Sequence, residues 1–396
     1  MTKAVLNTVT FFLLGVIVPA VQAQSLPENL RDIVNHSKQL ESIVISSIRA
    51  SDHMPVTEST LQQQQVKFNY AGQEVPVVLA QTPSVTWYSD GGHFTGYSYL
   101  RLRGIDQTRI NFTLNGVPLN EPEDQGAYFS NYPDFLNNIQ SVQIQRGVGT
   151  STNGTGAFAG SVNFESPSLL DSAGVEMQVS AGSYNTWQLS PQFKSGLLKN
   201  KMAFYVRYSN ARSDGFKEHS GTKGRTVFVS GGYFGRKSVI KFTAFNGMSK
   251  SEMAYLAVSE TDLKSNYRLN YLGEDERDRF HQSLAILQHS LAISRNSYLL
   301  STVYYNHLEG NYDIYFAPDM LNFAVRSNFL GGIINYQHEK EKIVLSAGLH
   351  AAQYQRHHFL RVKPNLNENL YFNTGEKREV TNRQRPQTKF FFVIPT

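Results

Sequence analysis

Cysteine is absent from the 396-residue chain, which excludes a disulfide framework, a thiol nucleophile and a cysteine-ligated zinc site. Charge is also scarce: 17% of the residues are charged and the formal net charge is only +5. The basic residues are interspersed with acidic ones rather than arranged in a stripe, so we expect no nucleic-acid partner. After residue 21 the chain has no apolar run of about 18 residues, the length that a transmembrane helix requires.

Aromatic residues are abundant instead, with 21 tyrosines and 25 phenylalanines. From residue 175 onward, segments of about ten residues alternate apolar and polar side chains, the pattern of a transmembrane β-barrel strand. In residues 201–210 the two predicted faces differ clearly in polarity. One face carries Met202, Phe204, Val206 and Tyr208, and the other carries Ala203, Tyr205, Arg207 and Ser209. Nine such segments are predicted: 175–184, 186–196, 201–210, 225–235, 238–248, 282–294, 297–310, 325–339 and 342–355.

The links between these segments alternate between short and long. Short links near residues 200, 236, 295 and 340 alternate with long polar ones at 211–224, 250–280 and 311–324. Short turns on one side and long loops on the other are typical of outer-membrane barrels. A soluble β-sandwich also has short alternating strands, so an exported sandwich module remains an alternative.

The first 23 residues have the features of a signal peptide. Lys3 provides a basic start, residues 9–18 are apolar, and small residues precede a cleavage site after Ala23. We therefore expect export through a cleaved signal peptide. The apolar stretch is too short to span a membrane comfortably, which disfavours an anchor.

Residues 97–166 predict a different, more polar set of strands. Arg101 and Arg103 share one strand face, and Leu100 and Leu102 share the other. Further strands are indicated at 109–114, 139–147 and 161–166, and Asn115-Gly116 is a tight-turn signal. We expect a compact α+β unit of about 120 residues, an ordinary domain size. Its polarity excludes contact with lipid but suits the polar lumen of a wide barrel.

Four pieces of sequence, in order and at matching spacing, resemble the plug domain of TonB-dependent outer-membrane receptors. They are ESIVISS (41–47), VPVVLAQTPSV (75–85), YLRLRGIDQTRINFTLNGVPLN (99–120) and NIQSVQIQRGVGTSTNGTGAFAGSVNFES (138–166). Val148 departs from the proline that the family often has after the RG at residues 146–147. The resemblance implies a mainly β protein: a plug inside a 22-stranded antiparallel barrel, of which this chain carries the first part. The implied organisation is a signal peptide (1–23), a linker (24–40), a TonB box (41–48), a plug (49–168), barrel strands (172–356) and a loop and tail (357–396).

The resemblance also assigns residues to roles. The partner-binding segment would be gripped by TonB as an added strand, which β-branched residues favour; it comprises Ile43, Val44, Ile45, Ser46 and Ser47. In the family, ion pairs hold the plug, and here the residues expected to pair with barrel carboxylates or with one another are Arg101, Arg103, Arg146 and Glu165.

Two loops rich in aromatic and acidic residues are predicted to face the substrate, since aromatic rings cover apolar ligand surface and polar groups orient it. The candidates are Trp87, Tyr88, His93, Tyr97, Glu121, Glu123, Asp124, Tyr128 and Tyr132. The resemblance favours uptake of a ferric siderophore or related iron complex through the outer membrane. Importers of glycans, haem or cobalamin remain alternatives, as does a passive porin or adhesin. We expect no enzyme activity, no cofactor and no metal site.

The end of the sequence conflicts with transport by this chain. Nine strands do not close a barrel around a plug, and an open edge in lipid would leave backbone groups unpaired. The stretch 381–396 does not have the pattern of a lipid-facing strand. We therefore expect a truncated or frame-shifted product that does not itself transport.

Overall fold

The computed structural model describes residues 49–50, 56–148, 156–316, 319–340, 343–363 and 377–393. The signal peptide, the linker and the TonB box predicted from the sequence lie outside the described residues. Eighteen strands and three α-helices are found within them, divided between an N-terminal unit (residues 56–165) and a large C-terminal sheet.

The N-terminal unit contains two small sheets and two short helices. One sheet has the order β1-β7-β8-β5-β6, with β5 and β8 parallel and the other neighbours antiparallel; the second has the order β2-β3-β4. The elements are β1 (Thr57–Gln62), α1 (Gln63–Asn69), α2 (Val75–Leu79), β2 (Val85–Ser89), β3 (Ser98–Leu102), β4 (Ile105–Asp106), β5 (Ile110–Leu114), β6 (Val117–Pro118), β7 (Ser141–Arg146) and β8 (Gly160–Glu165).

Alternating apolar residues build the core of this unit. Ile110, Phe112 and Leu114 of β5 are all buried, and Leu100 and Leu102 of β3 are buried against them in the same cluster. Phe129, from a short 3₁₀ turn, packs edge-on against Phe112 and Phe164. The α+β unit expected from the sequence is thus present: its four predicted strands correspond to β3, β5, β7 and β8, whereas β1, β2, β4 and β6 were not predicted.

The C-terminal sheet, here named the wall sheet, has ten antiparallel strands in strict sequence order, β9 to β18. Its connections include a short helix, α3 (Glu260–Ser265). The strands are β9 (Gly174–Gly182), β10 (Thr186–Lys194), β11 (Met202–Ser213), β12 (Thr222–Phe234), β13 (Ser238–Glu252), β14 (Arg277–Ser294), β15 (Ser297–Phe316), β16 (Asp319–Lys340), β17 (Ile343–Lys363) and β18 (Lys377–Val393). All nine predicted segments correspond to strands, and the mainly β fold class is confirmed.

The two faces of the wall sheet differ as the alternation predicts. In β11 the four residues of the apolar face are 38 to 44% exposed, whereas Ala203, Tyr205, Arg207 and Ser209 are buried against the N-terminal unit. In β13 Ile240 and Phe242 face outward. The polar-bearing face therefore turns toward the N-terminal unit and the apolar face turns away from it.

The sequence prediction differs from the structure in two places. The expected loop at 311–324 is replaced by strand, since β15 runs to Phe316 and β16 begins at Asp319. The expected loop and tail at 357–396 are also wrong in part: β17 continues to Lys363, and Lys377–Val393 pairs with it as a tenth strand. That segment lacks alternation in its sequence, so its strand character follows from pairing with β17 rather than from local pattern.

The wall sheet wraps around the N-terminal unit, because that unit contacts strands near both ends of the strand order. Lys67 of α1 pairs with Glu176 of β9 at 3.0 Å, and Tyr354 of β17 donates to Glu121 at 3.2 Å. Between these ends, Gln288 of β14 donates to the carbonyl of Asn115 at 3.1 Å. The long connections 214–221 and 253–276 lie at one end of the sheet, and the short links at 195–201, 235–237 and 295–296 lie at the other.

Among the described residues, every helix is too short or too polar to span a bilayer.

Glycine on the wall sheet allows the N-terminal unit to approach it closely. A Cβ on Gly247 of β13 would lie 2.3 Å from the Asn131 carbonyl oxygen and 2.7 Å from the Tyr132 Cβ. We predict that Gly247→Ala displaces the 3₁₀ turn Phe129–Asn131 from the wall. We expect it to destabilise the packing of the N-terminal unit against the wall by about 1–3 kcal/mol, the usual effect of overpacking. Amide hydrogen exchange should show faster exchange in β5, β7 and β8 of the variant.

The matched control is Gly174→Ala, because a Cβ at Gly174 meets no atom within 4 Å. Unchanged protection of β5, β7 and β8 in Gly247→Ala would contradict this close approach.

Candidate functional site

A buried carboxylate, Asp134, joins the N-terminal unit to the wall sheet. Asp134 precedes a 3₁₀ turn (Phe135–Asn138) in the left-handed conformation, with φ of 67°. Its carboxylate accepts hydrogen bonds from Tyr70 of its own unit at 2.8 Å and from two wall residues, Gln188 at 2.5 Å and Ser190 at 2.6 Å, both on β10. Ser209 of β11 also donates to it. A single side chain thus connects the unit to two wall strands.

The positive partner of Asp134 is Arg207 of β11, whose guanidinium lies 3.9 Å away; both side chains are fully buried. Arg207 donates to Ser190 at 2.8 Å and to the Tyr205 hydroxyl at 3.1 Å, and it also donates to Gln192. A buried charge is tolerated only when it is paired and its remaining donors are satisfied, and this network provides both conditions.

An aromatic contact lies beside this polar one. The Tyr132 ring is 4.7 Å from the ring of Phe245 on β13 and 5.3 Å from the ring of Phe135. Tyr132 is only 1% exposed, so the prediction that it faces the substrate is wrong. Its ring instead belongs to the interface between the N-terminal unit and the wall.

Residues 121–124 form a second, acidic contact with the wall. Glu121 is buried and accepts hydrogen bonds from Ser327 of β16 at 3.3 Å and from Tyr354 of β17 at 3.2 Å. Burial raises the pKa of Glu121 to about 7, against the opposing effect of nearby Arg356. The substrate-facing role predicted for Glu121 is therefore replaced by a role in holding its loop to the wall.

Glu123 and Asp124 lie at the exposed side of the same contact. Arg356 of β17 lies 3.5 Å from Glu123 and 3.3 Å from Asp124, and His358 lies 2.9 Å from Glu123. These pairs join the loop to the wall at the end of the sheet that carries the long connections.

A pocket of about 400 Å³ opens between the N-terminal unit and this end of the wall. Four of the predicted substrate-facing residues line it: His93, Tyr97, Asp124 and Tyr128. The wall contributes residues from the ends of β12 to β17, among them Asp278, Phe280 and Tyr312. Burial lowers the pKa of His93 to about 4, so its ring is neutral near pH 7. The pocket combines aromatic surface with carboxylates.

Trp87 and Tyr88 are not among the residues that line this pocket. Trp87 packs on Phe94 with ring centroids 5.8 Å apart, and the exposed Tyr88 stacks on Tyr99 at 5.1 Å. They support the loop that carries His93 and Tyr97 rather than facing the cavity.

The four residues predicted to tie plug to barrel have other contacts in the structure. Arg146 donates to the Pro83 carbonyl at 3.0 Å and to Ser59 at 2.9 Å, and Glu165 lies 3.6 Å from Arg49. Arg101 lies over the Tyr88 ring at 5.4 Å, and Arg103 is exposed at the turn between β3 and β4. All of these contacts lie within the N-terminal half of the chain. The ion pairs with the wall are made by other residues, and the fully buried one joins Asp134 to Arg207.

Sequence reasoning missed Asp134 as a functional residue. The available signal was Arg207, a lone charge on the inward face of an otherwise alternating strand, which required a buried partner. Nothing in the local sequence around Asp134 identified that partner. Among the described residues, no cluster of three or more histidine or acidic side chains is placed to hold a metal ion.

The model of the TonB-dependent receptor plug domain family matches residues 51–161. The N-terminal unit is a TonB-dependent receptor plug domain. This match includes Asp134 and all strands of the two small sheets except most of β8, and it confirms the resemblance inferred from the sequence. No curated protein matches the chain in sequence.

Solved structures extend the likeness from the plug domain to the wall sheet. The unliganded ferric citrate transporter FecA matches with a TM-score of 0.69 and 14% identity, covering 85% of this chain and 52% of that one. The ferric yersiniabactin uptake receptor FyuA of Yersinia pestis matches with a TM-score of 0.68 and 13% identity, covering 80% and 52%. The copper transporter OprC matches with a TM-score of 0.63 and 18% identity, covering 78% and 47%.

At these identities the likeness shows the fold: a plug domain and an adjoining part of a receptor wall. The chain spans about half the length of the solved structures that it matches.

The buried ion pair between Asp134 and Arg207 leads to a prediction for the substitution Asp134→Asn. The substitution keeps the shape but leaves the buried Arg207 without its fully buried counter-charge, which typically destabilises by about 3–5 kcal/mol. We expect the plug domain to become accessible to protease while the wall strands remain protected. Limited proteolysis of the detergent-solubilised chain, read by mass spectrometry, measures this.

Asp214→Asn is the control, because Asp214 pairs with Arg212 at 3.1 Å at an exposed position, where ion pairs contribute little. Equal protease sensitivity of the two variants would show that the buried pair does not hold the plug.

Proposed function

We propose that the protein is an outer-membrane receptor that takes up an iron complex with energy supplied through TonB. The observation that carries the proposal is the placement of a pocket. It lies between a plug domain and a surrounding wall, at the end of the wall that carries the long connections.

Outer-membrane localisation is supported by the outward face of the wall sheet. Large apolar side chains on successive strands are exposed on this face, a pattern expected of strands that contact lipid. Examples from five strands are Met177, Phe204, Phe242, Leu287 and Leu330. The opposite face is occupied by the plug domain, so the two faces of the sheet serve different environments.

Coupling to TonB is supported by the place of residues 43–47 in the sequence, just before a residue that is tied to the plug domain. Arg49, two residues after this segment, donates to the Ser141 hydroxyl at 2.8 Å and to the Asn163 carbonyl at 2.9 Å. A pull on the preceding residues would therefore act first on β7 and β8, the central strands of the larger plug sheet. β-branched residues suit capture of the segment as an added strand.

Iron complexes are the favoured cargo because two of the matched proteins are named for ferric citrate and ferric yersiniabactin. The pocket volume of about 400 Å³ lies within the usual range for small-molecule sites. One matched protein is named as a copper transporter, so a complex of another metal remains an alternative cargo. Glycans, haem and cobalamin also remain alternative cargoes.

The test uses the full gene product, unaltered and with Val44→Pro, because ten wall strands alone are not expected to transport; both forms are expressed in iron-limited cells. Proline removes a backbone donor and blocks strand addition, so we expect normal recovery in the outer membrane but loss of energy-dependent uptake of radioactive ferric complexes. Val34→Pro, in the preceding linker, is the matched control and should retain uptake.

A product found soluble in the periplasm would contradict the localisation. Uptake that persists in Val44→Pro would contradict the coupling through residues 43–47.

A further inference from the structure

The charges around the pocket are mainly negative, although Asp124 is paired with Arg356 at 3.3 Å. Among the residues that line it, four are carboxylates and one is an arginine. The carboxylates come from both walls of the pocket: Asp90 and Asp124 from the plug domain, and Glu252 and Asp278 from β13 and β14. An acidic lining on both sides attracts positive ligands and repels negative ones, because charges in a cleft act through a low-dielectric wall.

The basic groups at the pocket are already engaged or neutral. Arg356 is shared between Glu123 and Asp124 at 3.5 and 3.3 Å, and His358 contacts Glu123 at 2.9 Å. The buried His93 ring is neutral near pH 7 because burial lowers its pKa to about 4. Little positive charge is therefore left for an anionic ligand.

Two residues that line the pocket each carry a buried acceptor oxygen that lacks a donor. Asp278 is 7% exposed, and its carboxyl accepts from the Tyr97 hydroxyl and the Ser251 backbone, yet its Oδ1 has no partner among the described residues. Asn131 is 2% exposed; its amide nitrogen donates to Gln282 at 3.1 Å, and its Oδ1 likewise has no partner among the described residues. Unsatisfied buried acceptors are costly, so both oxygens favour a ligand that brings hydrogen-bond donors.

Aromatic side chains complete the lining. Tyr97, Tyr128, Phe280 and Tyr312 present rings to the same cavity. The faces of such rings attract cations, most strongly when the site is shielded from water. Carboxylates, orphaned acceptors and aromatic faces thus all favour a positively charged donor group.

From this combination, and resting on the proposed uptake function, we infer that the cargo is a positively charged iron complex. Its cationic hydrogen-bond donor, such as an ammonium group, is bound on the acidic side of the pocket that Asp278 lines. Complexes with net negative charge are disfavoured at this site.

The test uses one ferric trihydroxamate in three charge states: ferrioxamine B with its free ammonium, its neutral N-acetyl derivative and its negatively charged N-succinyl derivative. The iron chelate is the same in all three, so only the charge of the appended group changes. Binding to the purified full chain in detergent is measured by quenching of intrinsic fluorescence. We expect the cationic form to bind at least tenfold more tightly than the anionic form, and the neutral form to be intermediate.

Asp278→Asn should reduce the preference for the cation severalfold, since it removes an ionisable carboxyl group and keeps the side-chain shape. Glu274→Gln is the matched control. The Glu274 side chain is 80% exposed on the connection 253–276, which leads into β14, and it does not line the pocket. The charge series on the unaltered chain stands independently if Asp278→Asn fails to fold.

Tighter binding of the anionic derivative, equal binding of all three, or binding of none would overturn the inference. These outcomes are separable from failure of the proposed function. Outer-membrane recovery and dependence on residues 43–47 are measured in cells and do not depend on the charge of the cargo.

Discussion

The buried pairing of Asp134 with Arg207 is the contact on which the arrangement of the two parts depends. Both groups are removed from water, and each is tolerable only because the other is present. Asp134 also accepts from Tyr70, Gln188, Ser190 and Ser209, so one carboxylate connects the plug domain with β10 and β11. The network has specific geometry, and it therefore fixes which face of the plug meets which strands.

The other contacts follow from this docking. With Asp134 in place, the turn at Asn131–Tyr132 lies against Gly247, and Tyr132 meets the Phe245 ring. The acidic loop then reaches β17, where Arg356 lies beside Glu123 and Asp124. The space left between that loop, the His93 loop and the strand ends is the pocket. Its mainly negative charge is thus a consequence of how the plug is seated as well as of its composition.

Much of this fold could be predicted from the sequence, because strand alternation is a local property. The inward and outward faces of β11 are as expected, and so is the burial of Ile110, Phe112 and Leu114 in β5. Alternation determines which side of a strand a residue occupies, but not what that side meets. For this reason Arg207 was placed on the correct face without its partner, and Tyr132 and Glu121 were assigned to a ligand although they face the wall.

The lengths of β15 and β16 and the presence of a tenth strand could not be predicted from the local sequence pattern, for a different reason. β15 and β16 continue through polar residues, and Lys377–Val393 has no clear alternation. Their pairing depends on a neighbouring strand that is distant in sequence, which short windows do not contain.

The most direct test of how the plug docks against the wall is a designed disulfide cross-link. Because the chain has no native cysteine, no other thiol competes in the reaction. A Cβ at Gly224 of β12 would lie 2.6 Å from the ring of Pro133 in the plug. Pro133→Cys with Gly224→Cys should form a disulfide on mild oxidation of the full chain, whereas Pro133→Cys with Gly174→Cys should not. Free, alkylatable thiols at both positions of the first pair would contradict the docking of the plug against the wall.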